Sequence, residues 1–264
     1  QEQFPENDMI FAMAPGVMVA SWVAMGAQAK ILSTGWFDVT KPGVRNMEEL
    51  EKLDFNATVK NFVENKMFTT GIEATKMLSA KYGREYPIAT AWENGFTAAG
   101  RIIGTEQEML LLINQPEFVR KLSGFMNKLW SEAGKKLIEA GATVAMIPDP
   151  NAMTMLISPK TYKEYAWPLQ KETGNAIKAA GCHYHLHICG NAEPLLEHIA
   201  EAGAEMYSFD QKTRITEAKR RIGSRVALAG NVDPARLLFG SPEEIDRLCK
   251  ECIGIAGPGG GYML

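Results

Sequence analysis

The chain has 264 residues, of which 46% are hydrophobic and 22% are charged, as is typical of a soluble globular protein. Its net charge of −3 and the even spread of its basic residues argue against a nucleic-acid partner. Residues 12–27 are too short and too interrupted by Pro15 and Gly16 to cross a membrane, and four cysteines are too few for a disulfide scaffold. We therefore expect a cytoplasmic protein with reduced thiols and no membrane partner.

From residue 84 onwards, short apolar segments alternate with segments of helical periodicity, which predicts a parallel sheet covered by helices. The region 33–60 is irregular, and we interpret it as a long loop or a small subdomain. Strands are predicted at 9–13, 87–92, 143–147, 183–188, 205–209, 226–229 and from residue 262.

The helix boundaries carry their own signals. Residues 116–140 form an amphipathic helix, and Gly141 is expected to end it because glycine adopts the left-handed conformation without a steric penalty. Helices also begin at serine or threonine with an acidic residue three positions later. Two pairs have this capping-box spacing: Thr105 with Glu108, and Ser241 with Glu244.

Seven strands alternating with helices predict an α/β fold of the TIM type, a (β/α)8 barrel formed by residues 1–264 as one domain. The chain begins without methionine and stops where an apolar segment opens, so we expect its first barrel strand and its C-terminal end to lie outside this sequence. A doubly wound open sheet is the alternative. A glycine-rich dinucleotide motif does not follow an early strand, which weakens that alternative.

Polar residues follow nearly every predicted strand. In a barrel, residues after the strands gather at one end, where the functional site lies. A single aspartate in such a position is explained equally well as a helix cap. The repetition of the pattern favours a functional site. The candidates are Glu93, Asp149, Cys189, Asn191, Asp210 and Asn231.

The most specific pattern is His187-Ile188-Cys189. Residues two apart on a strand project to the same side, and imidazole and thiolate are preferred ligands of Zn²⁺. Gly190 then allows a sharp turn. The alternative is a buried, hydrogen-bonded histidine beside a buried cysteine. His185, deeper in the same strand, is interpreted as a core residue or as a hydrogen-bonding partner behind the metal ligands.

A second cysteine pair, Cys249-x-x-Cys252, has the spacing of a metal or redox motif. It lies within a helix that begins at Ser241-Pro242, and barrel helices face outwards, away from the site. We therefore expect no function for this pair. Cys182, which opens a strand, is expected to be structural.

Three runs resemble the uroporphyrinogen decarboxylase superfamily, in its corrinoid-dependent methyltransferase branch. The runs are residues 187–191 (HICGN), 208–212 (SFDQK) and 229–234 (AGNVDP). The resemblance implies a TIM barrel and a zinc ion held by a histidine and two cysteines. His187 and Cys189 match the first two ligands, and the third would follow Leu264. The decarboxylases themselves lack this pair, so its presence favours methyl transfer.

The resemblance implies transfer of a methyl group between a small molecule and the cobalt of a corrinoid, methylcobalamin, carried by a partner protein. The small molecule would be a thiol, a methoxy compound, a methylamine-type compound or tetrahydrofolate. Zinc would serve to hold a thiol in its nucleophilic thiolate form. Asp210 is the candidate fourth ligand or proton acceptor, and the resemblance is compatible with a homodimer. The substrate pocket would be shaped by Glu93, Asp149, Asn191 and Asn231.

Two other functions remain open. One is a metal-free decarboxylase of a porphyrinogen-like polyacid, which needs clustered arginines to hold several carboxylates. The candidates for that role, Arg101, Arg214 and Arg236, are scattered along the chain. The other is a non-catalytic barrel that binds a corrinoid or another ligand.

Overall fold

The computed structural model describes residues 9–12, 16–33 and 37–264. Within them, seven parallel strands form one sheet, whose order in space is the order of the chain. Each predicted strand is present, although the end of the first, at Met13, lies outside the described residues. The strands are β1 (Ile10–Phe11), β4 (Ile88–Ala91), β5 (Val144–Pro148), β6 (His183–Ile188), β7 (Met206–Phe209), β8 (Ala227–Ala229) and β9 (Tyr262–Met263).

Helices connect successive strands and cover the sheet, as a parallel sheet requires. The longest, α7, runs from Pro116 to Glu139, in agreement with the predicted span. The others are α1 (Val17–Ala24), α2 (Met47–Glu51), α3 (Phe55–Val63), α4 (Lys66–Tyr82), α5 (Gly95–Ile103), α6 (Thr105–Asn114), α8 (Pro159–Thr161), α9 (Trp167–Ala179), α10 (Leu196–Glu201), α11 (Ile215–Ile222), α12 (Pro234–Phe239) and α13 (Pro242–Ala256). None of the described helices is long and apolar enough to cross a membrane.

The core lies between the sheet and these helices. All four residues of β4 are buried, and α7 buries one face against α5 and α9. The long α7 meets the sheet closely at Gly134, where an added Cβ would lie 2.6 Å from the Trp92 ring. The main apolar cluster includes residues from Val17 to Ala256, so distant parts of the sequence share one core.

Two of the three helix boundaries predicted from the sequence are confirmed. Gly141 ends α7 with a φ of 108°, and the Ser241 hydroxyl accepts the Glu244 N–H at 3.3 Å. The capping box at Thr105 is wrong, because α6 has no side-chain cap. Thr105 instead pairs with Asn151, and Glu108 is fully buried, where its carboxylate accepts the Asn151 amide at 2.8 Å.

Of the two interpretations of residues 33–60, the long loop is wrong, and the regular elements found there agree with the small subdomain. An antiparallel hairpin pairs β2 (Gln28–Ile31) with β3 (Phe37–Lys41), and the short helices α2 and α3 follow it. Asn46 and Asp54 cap these two helices through their side chains. Both helices have fewer than ten residues, so their apolar periodicity is too brief to be read from the sequence.

The packing of α7 predicts opposite effects at two of its glycines. Gly134→Ala should lower the free energy of unfolding by about 1–3 kcal/mol, because its methyl group would overlap the buried Trp92 ring. Gly124 in the same helix has no atom within 4 Å of an added Cβ, so Gly124→Ala should be neutral or stabilising by up to about 1 kcal/mol. Urea unfolding of both variants measures the difference. Equal effects at the two positions would contradict this account of the packing.

Candidate functional site

The predicted metal pair lies at the end of β6. His187 is the fifth residue of β6, and Cys189 is the first residue after the strand. The two are two positions apart, so their side chains project to the same side. His187 Nε2 and Cys189 Sγ are 3.2 Å apart, and both residues are half-buried. Gly190 has a φ of 72°, which gives the sharp turn expected after the pair. The structure therefore brings an imidazole and a thiol to one point.

Ser208 holds the other side of the His187 ring. Parallel pairing of β6 with β7 places Ser208 directly opposite His187. Its hydroxyl lies 3.0 Å from His187 Nδ1 and 2.9 Å from His185 Nε2, so one oxygen bridges two imidazoles. Four side chains thus form a continuous hydrogen-bonded series: His185, Ser208, His187 and Cys189. His185 itself is buried, which agrees with its interpretation as a residue behind the pair.

The surroundings favour the uncharged forms of the pair. Burial lowers the pKa of the His187 imidazole, opposed by the contact with Ser208 and the charge of Asp210. Burial raises the pKa of the Cys189 thiol, and the negative charge of Asp210 raises it further, while Arg101 acts in the opposite direction. At neutral pH the protein alone therefore presents a neutral imidazole beside a protonated thiol.

Asp210 follows β7, beside the pair. Its Oδ1 accepts the Lys212 N–H at 2.9 Å, which fixes the turn after the strand. Asn231, after β8, donates its side-chain N–H to the Asp210 carbonyl at 3.2 Å and to the Thr213 carbonyl at 2.8 Å. The amide of Asn231 therefore ties the loop that carries Asp210 to the end of the next strand.

Asn191 lies beyond the pair, in the loop that follows β6. Its side chain is exposed, and its Oδ1 accepts the Glu193 N–H at 3.0 Å. The Asn191 carbonyl accepts a hydrogen bond from the Thr154 hydroxyl. These contacts give Asn191 a role in shaping the loop, and its predicted contact with substrate stays a prediction.

Glu93 follows β4 and is almost completely buried. Its Oε1 accepts the Arg101 Nε–H at 3.0 Å. Burial raises the pKa of this carboxyl, and the charge of Arg101 opposes the shift. The Arg101 side chain is 47% exposed, so Glu93 holds a cation that also reaches the surface.

Asp149 follows β5 and is fully buried, with both oxygens occupied. Oδ1 accepts the Thr97 hydroxyl at 2.6 Å and Oδ2 accepts the Gln170 amide at 2.8 Å. The Tyr162 hydroxyl donates to Gln170 Oε1 at 2.6 Å, which extends the network. Burial raises the pKa of Asp149 to about 6, and these hydrogen bonds oppose the shift. Asp149 therefore joins α5, β5 and α9, and its contact with substrate is still a prediction.

Sequence reasoning missed two residues of this region. Ser208 stands two positions before Asp210 on β7, so strand alternation places both on one side and would have pointed to it. Thr213 is fully buried, and its hydroxyl donates to the Gly190 carbonyl at 2.9 Å and accepts the Ala192 N–H at 2.8 Å. No sequence signal distinguishes Thr213 from an ordinary loop threonine.

The other cysteines and histidines lie outside this arrangement. Cys249 and Cys252 are on α13, and Cys182 is buried at the start of β6. His183 is exposed and pairs with Glu205 at 3.1 Å. Residues 9–12, 16–33 and 37–264 contain no group of three or more histidine, cysteine, aspartate or glutamate side chains that could hold a metal ion. His187 and Cys189 therefore offer two ligands, which is fewer than a structural or catalytic zinc requires.

The uroporphyrinogen decarboxylase (URO-D) family profile matches residues 11–264. The chain belongs to this family. It is 33% identical over 231 residues to "Methylcobamide:CoM methyltransferase MtbA" of Methanosarcina acetivorans, which covers 85% of the chain and 66% of that relative. It is also 33% identical over 145 residues to "Uroporphyrinogen decarboxylase" of Trichodesmium erythraeum, which covers 54% of the chain and 40% of that relative. The chain thus spans less than two thirds of the length of these relatives.

A solved structure, "methyltransferase from Methanosarcina mazei", matches the fold with a TM-score of 0.85 at 24% identity. The match covers 99% of this chain and 75% of that one. Together with the family match, it confirms the TIM-type barrel of the uroporphyrinogen decarboxylase kind. The resemblance to the methyltransferase branch, drawn from the three runs around residues 187–234, is confirmed as well.

The raised pKa of Asp149 makes stability depend on pH. The unfolded chain releases this proton near its ordinary pKa of 3.8, whereas the folded protein keeps it up to about pH 6. The stability that the protonated Asp149 carboxyl contributes to the folded protein is full below pH 3.8 and is lost as pH rises through 6. Relative to Asp149→Asn, the free energy of unfolding should therefore fall by up to about 3 kcal/mol between pH 4 and pH 6.5. Urea unfolding across this range measures it, and a constant difference would contradict the raised pKa.

Proposed function

We propose that this protein is a zinc-dependent methyltransferase that moves a methyl group between a small molecule and the cobalt of a corrinoid carried by a partner protein. The observation that carries the proposal is the 3.2 Å approach of His187 Nε2 to Cys189 Sγ at the end of β6. The names of relatives such as "Methylcobamide:CoM methyltransferase MtbA" support the same chemistry.

The donor geometry fits Zn²⁺. Ideal zinc–nitrogen and zinc–sulfur distances in a tetrahedral site place the two donor atoms about 3.5 Å apart, close to the separation found here. The His187 Nδ1 is engaged with Ser208, which leaves Nε2 for the metal. His187 and Cys189 would hold the ion, together with at least one ligand from outside the described residues. When bound, zinc would supply the positive charge that keeps a thiol ionised at neutral pH.

The chain's own groups have distinct parts in this proposal. Asp210 would accept a proton from a substrate thiol at Oδ2, because Oδ1 already accepts the Lys212 N–H. Glu93 would act through Arg101, whose exposed guanidinium places a positive charge near Cys189. Such a charge suits a substrate with an anionic group. Asn191 and Asn231 would hold the loops around the pocket, and Asp149 would fix β5 against α5 and α9.

The positions of the arginines give little support to the decarboxylase alternative. A polyacid substrate needs several guanidinium groups that converge on one site. Each of the three candidates instead pairs with a different glutamate: Arg101 with Glu93 at 3.0 Å, Arg214 with Glu193 at 2.7 Å, and Arg236 with Glu244 at 3.5 Å. We further propose that residues 1–264 form one domain of a cytoplasmic enzyme, in keeping with the shared core.

Metal content tests the proposed site. The full-length protein should contain about one zinc per chain, and His187→Ala or Cys189→Ser should remove it, because each change deletes a ligand. His183→Ala, on the same strand but exposed at its other end, and Cys252→Ser, on α13, should leave the zinc in place. Elemental analysis after dialysis measures the content. Full zinc retention in His187→Ala would refute the proposed site.

Activity distinguishes methyl transfer from its alternatives. Candidate methyl donors and acceptors are mixed with free cobalamin, whose visible spectrum changes when a methyl group joins or leaves the cobalt. We expect transfer with at least one small molecule and a loss of at least about 100-fold in His187→Ala, since losing an activating electrostatic group commonly costs this much. Decarboxylation that resists chelators would support the metal-free alternative. No turnover of either kind would support a non-catalytic binding barrel.

A further inference from the structure

The bridging hydroxyl of Ser208 has so far been described only as the partner of His187 Nδ1, without a role for its second contact. It lies between His185 and His187, on a neighbouring strand and at hydrogen-bonding distance from both rings. A hydroxyl carries one hydrogen and can accept others, so it donates to one ring and accepts from the other. The position of that single hydrogen decides which nitrogen of His187 carries a proton.

We propose that Ser208, supported by His185, is a positioning residue that stabilises the form of His187 whose Nε2 is free to bind a metal, by accepting the hydrogen on Nδ1. The inference rests on the proposed zinc site and concerns the hydrogen-bonded groups behind it. Partners of this kind orient a ligating imidazole and raise its basicity, and their loss typically weakens metal binding 10–100-fold.

Counting hydrogens shows why the bridge matters. In one order, His187 Nδ1–H donates to Ser208 Oγ, and Ser208 donates to His185 Nε2. His187 Nε2 then carries no hydrogen and is free to bind a metal. In the reverse order, His185 Nε2–H donates to Ser208, and Ser208 donates to His187 Nδ1. The hydrogen of His187 then stands on Nε2, directed at Cys189 Sγ 3.2 Å away, where it excludes a metal.

The far side of His185 does not favour either order. His185 Nδ1 is buried, and no described residue forms a hydrogen bond with it. In the first order this nitrogen is an unpaired donor, and in the second it is an unpaired acceptor, so each leaves one buried polar atom unsatisfied. A metal at His187 Nε2 would therefore favour the first order, in which Ser208 holds the ring by accepting its Nδ1–H and donates to His185 Nε2. A serine that merely filled space on β7 would have no such effect.

Zinc affinity of the full-length protein tests the inference, measured by competition with a chromophoric chelator. Ser208→Ala should bind zinc 10–100-fold more weakly, because His187 Nδ1 loses its acceptor. Ser208→Thr keeps the hydroxyl and should stay within about threefold of the wild type. Ser131→Ala, which removes a hydroxyl bonded to the Asn127 carbonyl on α7, is the matched control and should leave affinity unchanged. Thermal unfolding of each variant verifies that it is folded.

A spectroscopic signature separates positioning from packing. In the zinc-loaded wild type, ¹⁵N NMR should show His187 metal-bound at Nε2 and protonated at Nδ1, with His185 Nε2 in the acceptor form. Co²⁺ substituted for zinc should give a visible spectrum that Ser208→Ala alters and Ser131→Ala does not. If His187→Ala loses zinc as expected, a folded Ser208→Ala protein with wild-type zinc affinity and spectrum would overturn this inference alone. Zinc retained in His187→Ala would instead overturn the proposed site together with this inference.

Discussion

The register of three parallel strands sets the geometry on which the site depends. Pro148, His187 and Ser208 lie side by side on β5, β6 and β7. Because side chains alternate along a strand, a shift of β6 by one residue would turn His187 and Cys189 to the opposite face. The buried apolar residues that alternate with them, Leu186 and Ile188, resist such a shift, since it would remove them from the main apolar cluster. The core therefore determines where the imidazole and the thiol point.

The same end of the sheet buries several polar side chains, and most are hydrogen-bonded. Asp149 accepts two hydrogen bonds from uncharged donors, and Glu93 has one charged partner. Burying a carboxyl in this way costs free energy, so these networks add little to the stability of the fold. Their main effect is to orient the elements that they connect. They bind β4, β5, α5 and α9 into a rigid support. Next to that support, His187 is presented from β6 and Cys189 from the turn that follows it.

The sequence reveals the sheet and the pair of His187 and Cys189 for the same reason. Most strands are apolar segments followed by polar residues, so both the strands and the side chains after them are visible in the pattern. Contacts between distant segments are not visible. The contact of Ser208 with His187 depends on the pairing of β7 with β6. Thr105 has the sequence pattern of a helix cap, but in the fold it contacts Asn151, which is 46 residues away in the chain. The hairpin and short helices before residue 64 are too brief for periodicity to reveal.

Thr213 links three neighbouring loops through its hydroxyl and its carbonyl. The hydroxyl binds the turn after Cys189, and the carbonyl accepts the Asn231 amide from beyond β8. Opening any one loop would break hydrogen bonds in the others, so the three are expected to move as one body. At the proposed zinc site, such stiffness would select an ion by its coordination geometry, since the protein around it would yield little to an ion that prefers another arrangement.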